Sequence, residues 1–304
     1  MEKIDQIIFG DNQFFGINHM SQEKAQQLAE KFYDLKNIIK VYEYALNSNI
    51  NAIMLNSNDR AKEICKFFRE NKSEYSNINW YPSLPYPHKY ANLVAEKGIV
   101  SAINDVIFTD NSTNGLLGLI SKGGSALLGK DVVKIMQMLI DIEIKSFRDL
   151  NIKAIFLQNI ITDLLLGLKA KIFFVEYAEY IRNKYKVVPG FITMNLPSLI
   201  ESLQEWGIYD VVICSSINKI GYLMSPNLTE YENVLSTYDK NKYQIMAMSV
   251  LASGAIPVNE AIEYVTNLNV DSIVFGASSQ SHIVETKRQI ETKYKTKSVT
   301  QPEL

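Results

Sequence analysis

Few specialised side chains are available to this chain: it holds three histidines and two cysteines. His19, Asp59, His88 and Lys219 each stand in a polar stretch just beyond an apolar run. Histidine and aspartate there can act as general acids or bases. Lys219, in Ser215-Ser-Ile-Asn-Lys-Ile-Gly221, could form a Schiff base with a carbonyl substrate if it were desolvated. No HxH or HExxH spacing occurs, so no metal is expected, and there is no GxSxG elbow for Ser-His-Asp catalysis.

Uncharged polar residues follow the apolar runs more often than charged ones do. Asn12, Asn18, Asn56, Tyr86, Gln158, Asn159, Asn195 and Asn218 form the candidate substrate-binding set, beside Asp11 and Gln13 in the first such stretch. Amides bind the hydroxyls and carbonyls of polar small molecules without requiring a charged ligand. Ala252-Ser253-Gly254 and Gly276-Ala-Ser278-Ser279 differ in kind, with small residues, exposed backbone N–H groups and hydroxyls. The second leads into a helix starting near Ser281 or His282. Ser253, Gly254, Gly276, Ser278 and Ser279 are therefore candidates for holding a phosphate or nucleotide.

The elements that position these residues are legible as a repeating unit. Apolar runs at Gln6–Phe9, Ala52–Leu55, Asn79–Tyr81, Ala154–Leu157, Val187–Thr193, Val211–Cys214, Gln244–Met248 and Ser272–Phe275 each precede a polar cluster and an amphipathic segment. Continuous apolar runs suit strands covered on both faces, as in a parallel sheet under helices. Lys36–Asn47 has helical spacing, Pro197 and Gly207 punctuate another helix, and Thr229 with Glu232 has capping-box spacing. Eight such alternations predict an α/β fold, a (β/α)8 TIM barrel, whose site lies at the carboxyl ends of its strands. A doubly wound sheet lacks support, because Gly10 and Gly16 are too far apart for GxGxxG. The predicted domain spans 1–292, with a long insertion between strands three and four (about 90–150) that is either a lid or a peripheral helical excursion, and a polar tail at 293–304.

With 304 residues, 47% hydrophobic and 21% charged, the chain can bury a large core. A formal net charge of -2 gives no footprint for phosphate backbones, so nucleic acid is not an expected partner. No apolar stretch approaches the length of a bilayer span. Cys65 and Cys214 sit in apolar patterns and read as buried thiols. Together with a charged N-terminus that leads into the first strand, these features predict a cytoplasmic, non-membrane protein with a small-molecule substrate. Its oligomeric state stays open.

Four stretches resemble the aldo-keto reductases, NAD(P)-dependent barrel enzymes. They are Tyr42–Asn51, Trp206–Asn218, Met246–Gly254 and Ile273–Ser279 with His282 and Glu285 following. The resemblance implies the barrel, NADP or NAD as cofactor, and phosphate binding by the last two loops. The family's catalytic tetrad of tyrosine, aspartate, lysine and histidine is not carried over. Asn56 stands where the aspartate is expected, without Tyr-Gly after it; the third strand runs into Pro82-Ser83 rather than lysine, and the fourth into Gln158-Asn159 rather than histidine. The leading expectation is an oxidoreductase acting on a polar, phosphorylated or sugar-like molecule. A lyase or isomerase using Lys219 or a His/Asp pair, and a non-catalytic metabolite- or partner-binding barrel, are the alternatives.

Overall fold

The computed structural model describes residues 2–15, 22–86 and 130–300. Strand β1 (Ile7–Phe9) is followed by a 3-10 turn (Asn12–Phe14), α1 (Gln22–Lys31) and α2 (Leu35–Asn47). Then come β2 (Ala52–Asn56), α3 (Ala61–Glu70), β3 (Asn79–Leu84), α4 (Lys130–Ile144) and β4 (Ala154–Leu157), the last preceded by a two-residue ladder at Asn151–Ile152. Helices α5 (Asn159–Gly167) and α6 (Lys171–Tyr180) precede β5 (Val188–Thr193). The remainder alternates: α7 (Leu196–Trp206), β6 (Val211–Ser216), α8 (Leu228–Thr237), β7 (Tyr243–Met248), α9 (Val258–Asn267), β8 (Ser272–Phe275) and α10 (Gln280–Thr300).

Every pairing is parallel, and the sheet closes on itself. β8 pairs with β1 from Ile7↔Ile273 to Phe9↔Phe275, and β2 with β3 from Ala52↔Asn79 to Asn56↔Ser83. The result is the closed eight-stranded (β/α)8 barrel that the sequence predicts. Period-two alternation sends one set of side chains to the barrel axis: Ile8, Met54, Tyr81, Phe156, Ile192, Cys214 and Met246. The other set, including Phe9, Leu55, Trp80, Phe191 and Ile245, packs under the helices. Both faces of each strand are thus dry, which is why the runs read as continuous rather than alternating. Cys214 lies on the axis and Cys65 in the helical layer, and both thiols are free and buried.

The axis is filled by one large ring set against one missing side chain. A Cβ built on Gly190 would come within 2.4 Å of the Phe156 ring, so the ring of β4 occupies the space that any larger residue of β5 would need. At the amino ends of the strands the chain's own start forms a plug. The Asp5 carboxylate accepts hydrogen bonds from Asn79 Nδ2 (2.9 Å) and Tyr81 Oη (2.5 Å), and the Gln244 amide bonds the backbone at Ile4 and Glu2.

Several boundaries differ from expectation. The third strand runs to Leu84, not Tyr81, so Ser83 rather than Trp80 reaches the carboxyl end. Trp80 is buried against Phe68 and Phe147, outside the axis and one residue into the strand. Thr229 lies inside α8; the cap is Asn227, whose side chain accepts from Glu230 N, because an amide oxygen two residues earlier reaches the open first turn. α7 does carry proline in its first turn and a left-handed Gly207 (φ 72°) at its end. α10 continues to Thr300, through the region assigned to a polar tail. Of the insertion, α4 is described and residues 90–129 lie outside the described residues. Among the described residues, no helix is long and apolar enough to cross a membrane.

Gly190→Ala is expected to destabilise the protein by roughly 1–3 kcal/mol through overpacking. Urea unfolding checks this, and combining it with Phe156→Leu should recover part of the loss; equal losses in the single and double variants would show that the ring is not the obstacle.

Candidate active site at the barrel mouth

The same alternation that fills the axis decides what caps it. One step of two residues beyond Met54, Tyr81 and Phe156 stand Asn56, Ser83 and Gln158, so the apolar column ends in a polar layer. On the opposite side the equivalent positions are Met194, Ser216 and Met248; between the two sides lie Gly10 and Gly276. The mouth is therefore polar over β2–β4 and thioether-lined over β5–β7.

The polar side is a connected network around one carboxylate. Asp11, in the turn after β1, is buried, and its two oxygens accept from Asn56 N and Asn56 Nδ2, each at 2.8 Å. Asn56 Oδ1 in turn accepts from Gln158 Nε2 at 2.9 Å, and Gln158 Nε2 also reaches the Ser83 carbonyl at 3.2 Å. The Asn56 amide thus donates to Asp11, and Gln158 fixes its orientation by donating to Asn56 Oδ1. Ser83 Oγ is buried without a hydrogen-bond partner. Burial raises the Asp11 carboxyl from its ordinary 3.8 to about 7, against the opposing effect of the Asn56 hydrogen bonds.

Two more carboxylates brace the mouth. Glu143 of α4 is buried and accepts from Ser57 Oγ and from Tyr86 N (2.9 Å), tying α4 to the loops after β2 and β3. Asp163 of α5 accepts from Thr193 Oγ1 (2.5 Å) and Met194 N (3.0 Å), fixing the end of β5; burial raises its pKa. The Tyr86 hydroxyl is also shifted up, first by burial and then by the negative charges of Asp11 and Asp59.

The residues singled out from sequence divide clearly. Asn56 and Gln158 are in the network, and Tyr86 stands beside it. Asn159 begins α5, half-buried, next to Gln158. Asn195 caps α7 by accepting from Ser198 N, and Asn218 spends its amide on Tyr222 N and Tyr222 O, holding the loop after β6. Asn12 and Asp59 are exposed. Lys219 is ion-paired with Glu260 of α9 at the rim, not in the network. This corrects the expectation of a lysine desolvated at the mouth: Lys219 is the third residue past β6, and the loop carries it outward to a carboxylate. Asn18, His19 and His88 lie outside the described residues.

At the last two loops, Ser253 and Gly254 are exposed and left-handed (φ 57° and 89°), and Tyr222 Oη lies 3.3 Å from Ser253 Oγ. Ser279 Oγ accepts from His282 N at 3.4 Å, at the start of α10. Lys31, at the end of α1, places Nζ 3.0 Å from the Ser278 carbonyl. Gly276 has a packing reason of its own, since a Cβ there would meet Gln13 Oε1 at 2.0 Å. Small loops, a 21-residue helix opening towards them and one ammonium fit the phosphate of a dinucleotide.

Ser83, Glu143 and Lys31 are not among the candidates that the sequence offers, whereas Asp11 is, as a residue of the first polar stretch. Asp11 carried a signal, standing directly after the first strand. The other three did not: Ser83 needed the true strand end, and Glu143 and Lys31 needed the packing of α4 and α1.

A raised acid costs the folded state its stability as pH rises. Below 3.8 both folded and unfolded Asp11 are protonated; between 3.8 and about 7 the unfolded chain loses its proton first, so stability falls through that window. The full effect is at most ~4 kcal/mol. Urea unfolding of wild type and Asp11→Asn at pH 4 and pH 8 should show the wild type losing more stability than the variant; parallel slopes would contradict the raised carboxyl.

No protein-family model matches the chain, and no curated protein matches it by sequence. Solved structures do match in fold. A Pseudomonas aeruginosa protein assigned to the aldo-keto reductases aligns with a TM-score of 0.61 at 11% identity, covering 96% of this chain and 92% of that one. The glycerol dehydrogenase of Gluconobacter oxydans aligns at 0.55 and 9% identity, covering 95% and 89%. An aldose reductase from Schistosoma japonicum aligns at 0.50 and 9%, covering 97% and 89%.

Proposed function

We propose, from a barrel fold that aldo-keto reductases share, that this chain is a NAD(P)-linked oxidoreductase acting on a polar small molecule at the barrel mouth. The observation that carries the reading is the Asp11–Asn56–Gln158 network. It puts oriented, half-buried to buried amides and a buried carboxyl at the end of the barrel where such enzymes do chemistry.

Ser253, Gly254, Ser278, Ser279, the first turn of α10 and Lys31 would hold the dinucleotide's phosphates. Bound there, a nicotinamide supplies a hydride or accepts one. The chain's own residues do the rest. Asn56 and Gln158 orient a hydroxyl or carbonyl of the substrate, Met194 and Met248 give the site an apolar wall, and Glu143 fixes the Tyr86 loop over it. Uncharged amides suit a sugar-like or polyol substrate, and a phosphate on it would have to meet the rim, because the network offers no cation.

Isothermal titration calorimetry with NADPH and NADH tests the reading. Saturable micromolar binding is expected, and Lys31→Ala should weaken NADPH up to about five-fold, the range of one exposed ionic contact, with the difference shrinking at high salt. Failure to bind either nucleotide would remove the oxidoreductase reading.

A further inference from the structure

The resembled reductases take their proton from a tyrosine lowered by lysine, and neither position is filled that way here. Tyr86 is the tyrosine beside the network, yet burial and the charges of Asp11 and Asp59 hold its proton on. The strand-end position after β3 is Ser83, and the lysine after β6 is tied to Glu260.

We propose that Asp11, from the turn after β1, is the proton carrier of this mouth, with Asn56 and Gln158 as its positioning residues. The inference rests on the mouth being the active site, as above. Three observations support it. Asp11 is buried at the polar end of the barrel, 3% exposed, with its oxygens held by the Asn56 N–H and Nδ2 and by its own backbone N–H, three donors for the four lone pairs of the carboxylate. The Gln158–Asn56–Asp11 chain fixes the carboxyl plane at the top of β1–β4. Among the described residues, the ionisable groups facing it are acids themselves: Tyr42 of α2, whose proton is held on by burial and by Asp11, and Tyr86 after β3. Among the described residues, no lysine, arginine or histidine bonds to it.

Burial without a cation keeps the carboxyl poised near neutrality, at about 7, where an acid both gives and recovers a proton efficiently. In the reducing direction the hydride would reach the carbonyl carbon from a bound dihydronicotinamide, the two-electron donor of the step. The C=O π pair takes the Asp11 proton at oxygen, giving an alcohol, oxidised nicotinamide and the Asp11 carboxylate, which is reprotonated from water. The oxidising direction is the reverse, with the carboxylate taking the hydroxyl proton.

The test reads Asp11 directly. In protein labelled with 13C-aspartate, the carboxyl signal missing from Asp11→Asn is followed by NMR against pH, with and without NADPH. A midpoint near 7 is expected. Asn56→Asp, isosteric and adding a second carboxyl at hydrogen-bond distance, should split the titration and push one midpoint higher. In turnover of NADPH with a panel of small aldehydes and ketones, Asp11→Asn should lose about 100-fold or more while nucleotide affinity stays within about three-fold of wild type. A midpoint near the ordinary value of about 4, or turnover in Asp11→Asn within ten-fold of wild type, overturns the proposal. If wild type binds no nicotinamide nucleotide, the oxidoreductase reading fails separately, and the NMR midpoint and its response to Asn56→Asp still decide whether Asp11 carries a proton near neutrality.

Discussion

The level pairing of Asn56 with Ser83 sets where the barrel stops being oil. Between that rung and the amino-end plug the inward positions of β2 and β4 are apolar and β3 contributes the Tyr81 ring; at the rung, two neighbouring strands turn polar together, and Gln158 joins them from β4. A shift of one residue in this register would drive Asn56 under the helices and Leu55 into the mouth. The amide chain, the seating of Asp11 and the bracing by Glu143 all presuppose that rung.

Burial then does two different jobs. In the axis it is bulk packing, with Phe156 and Gly190 sharing one volume between adjacent strands. At the mouth it sets charge: the same exclusion of water that stabilises Ile8 and Met54 makes an ionised Asp11 expensive. The hydrogen bonds from Asn56 offset part of that cost and leave the carboxyl between its solution value and full neutrality. The opposite end of the barrel shows the contrast. There Asp5 is also bonded by side chains, but at the plug its partners Asn79 and Tyr81 lock the chain terminus to the strands.

The fold was legible because both-face burial leaves a strong mark on composition: eight apolar runs at the right intervals suffice to count the strands. Residues of the mouth network were legible where they sit at the end of a run that was bounded correctly, as Asn56 and Gln158 do. Pro82 hid the last part of β3, since a proline within a run argues against a strand, and Ser83 went with it. Asn195 and Asn218 look like site residues for the same reason as Asn56, yet they satisfy backbone groups of their own loops. A polar residue after a strand can serve the ligand or the turn, and only the partner of its side chain tells which. Glu143 and Lys31 arrive from distant helices, so no local pattern marks them.

The two thiols divide the molecule into separately observable layers. Cys65 can be uncovered by α3 peeling from the barrel, a local opening, whereas Cys214 on the axis is reached only when strands part. A thiol-reactive reagent would therefore label them on different clocks. The interval between the two would measure how far the helical coat loosens before the closed sheet gives way.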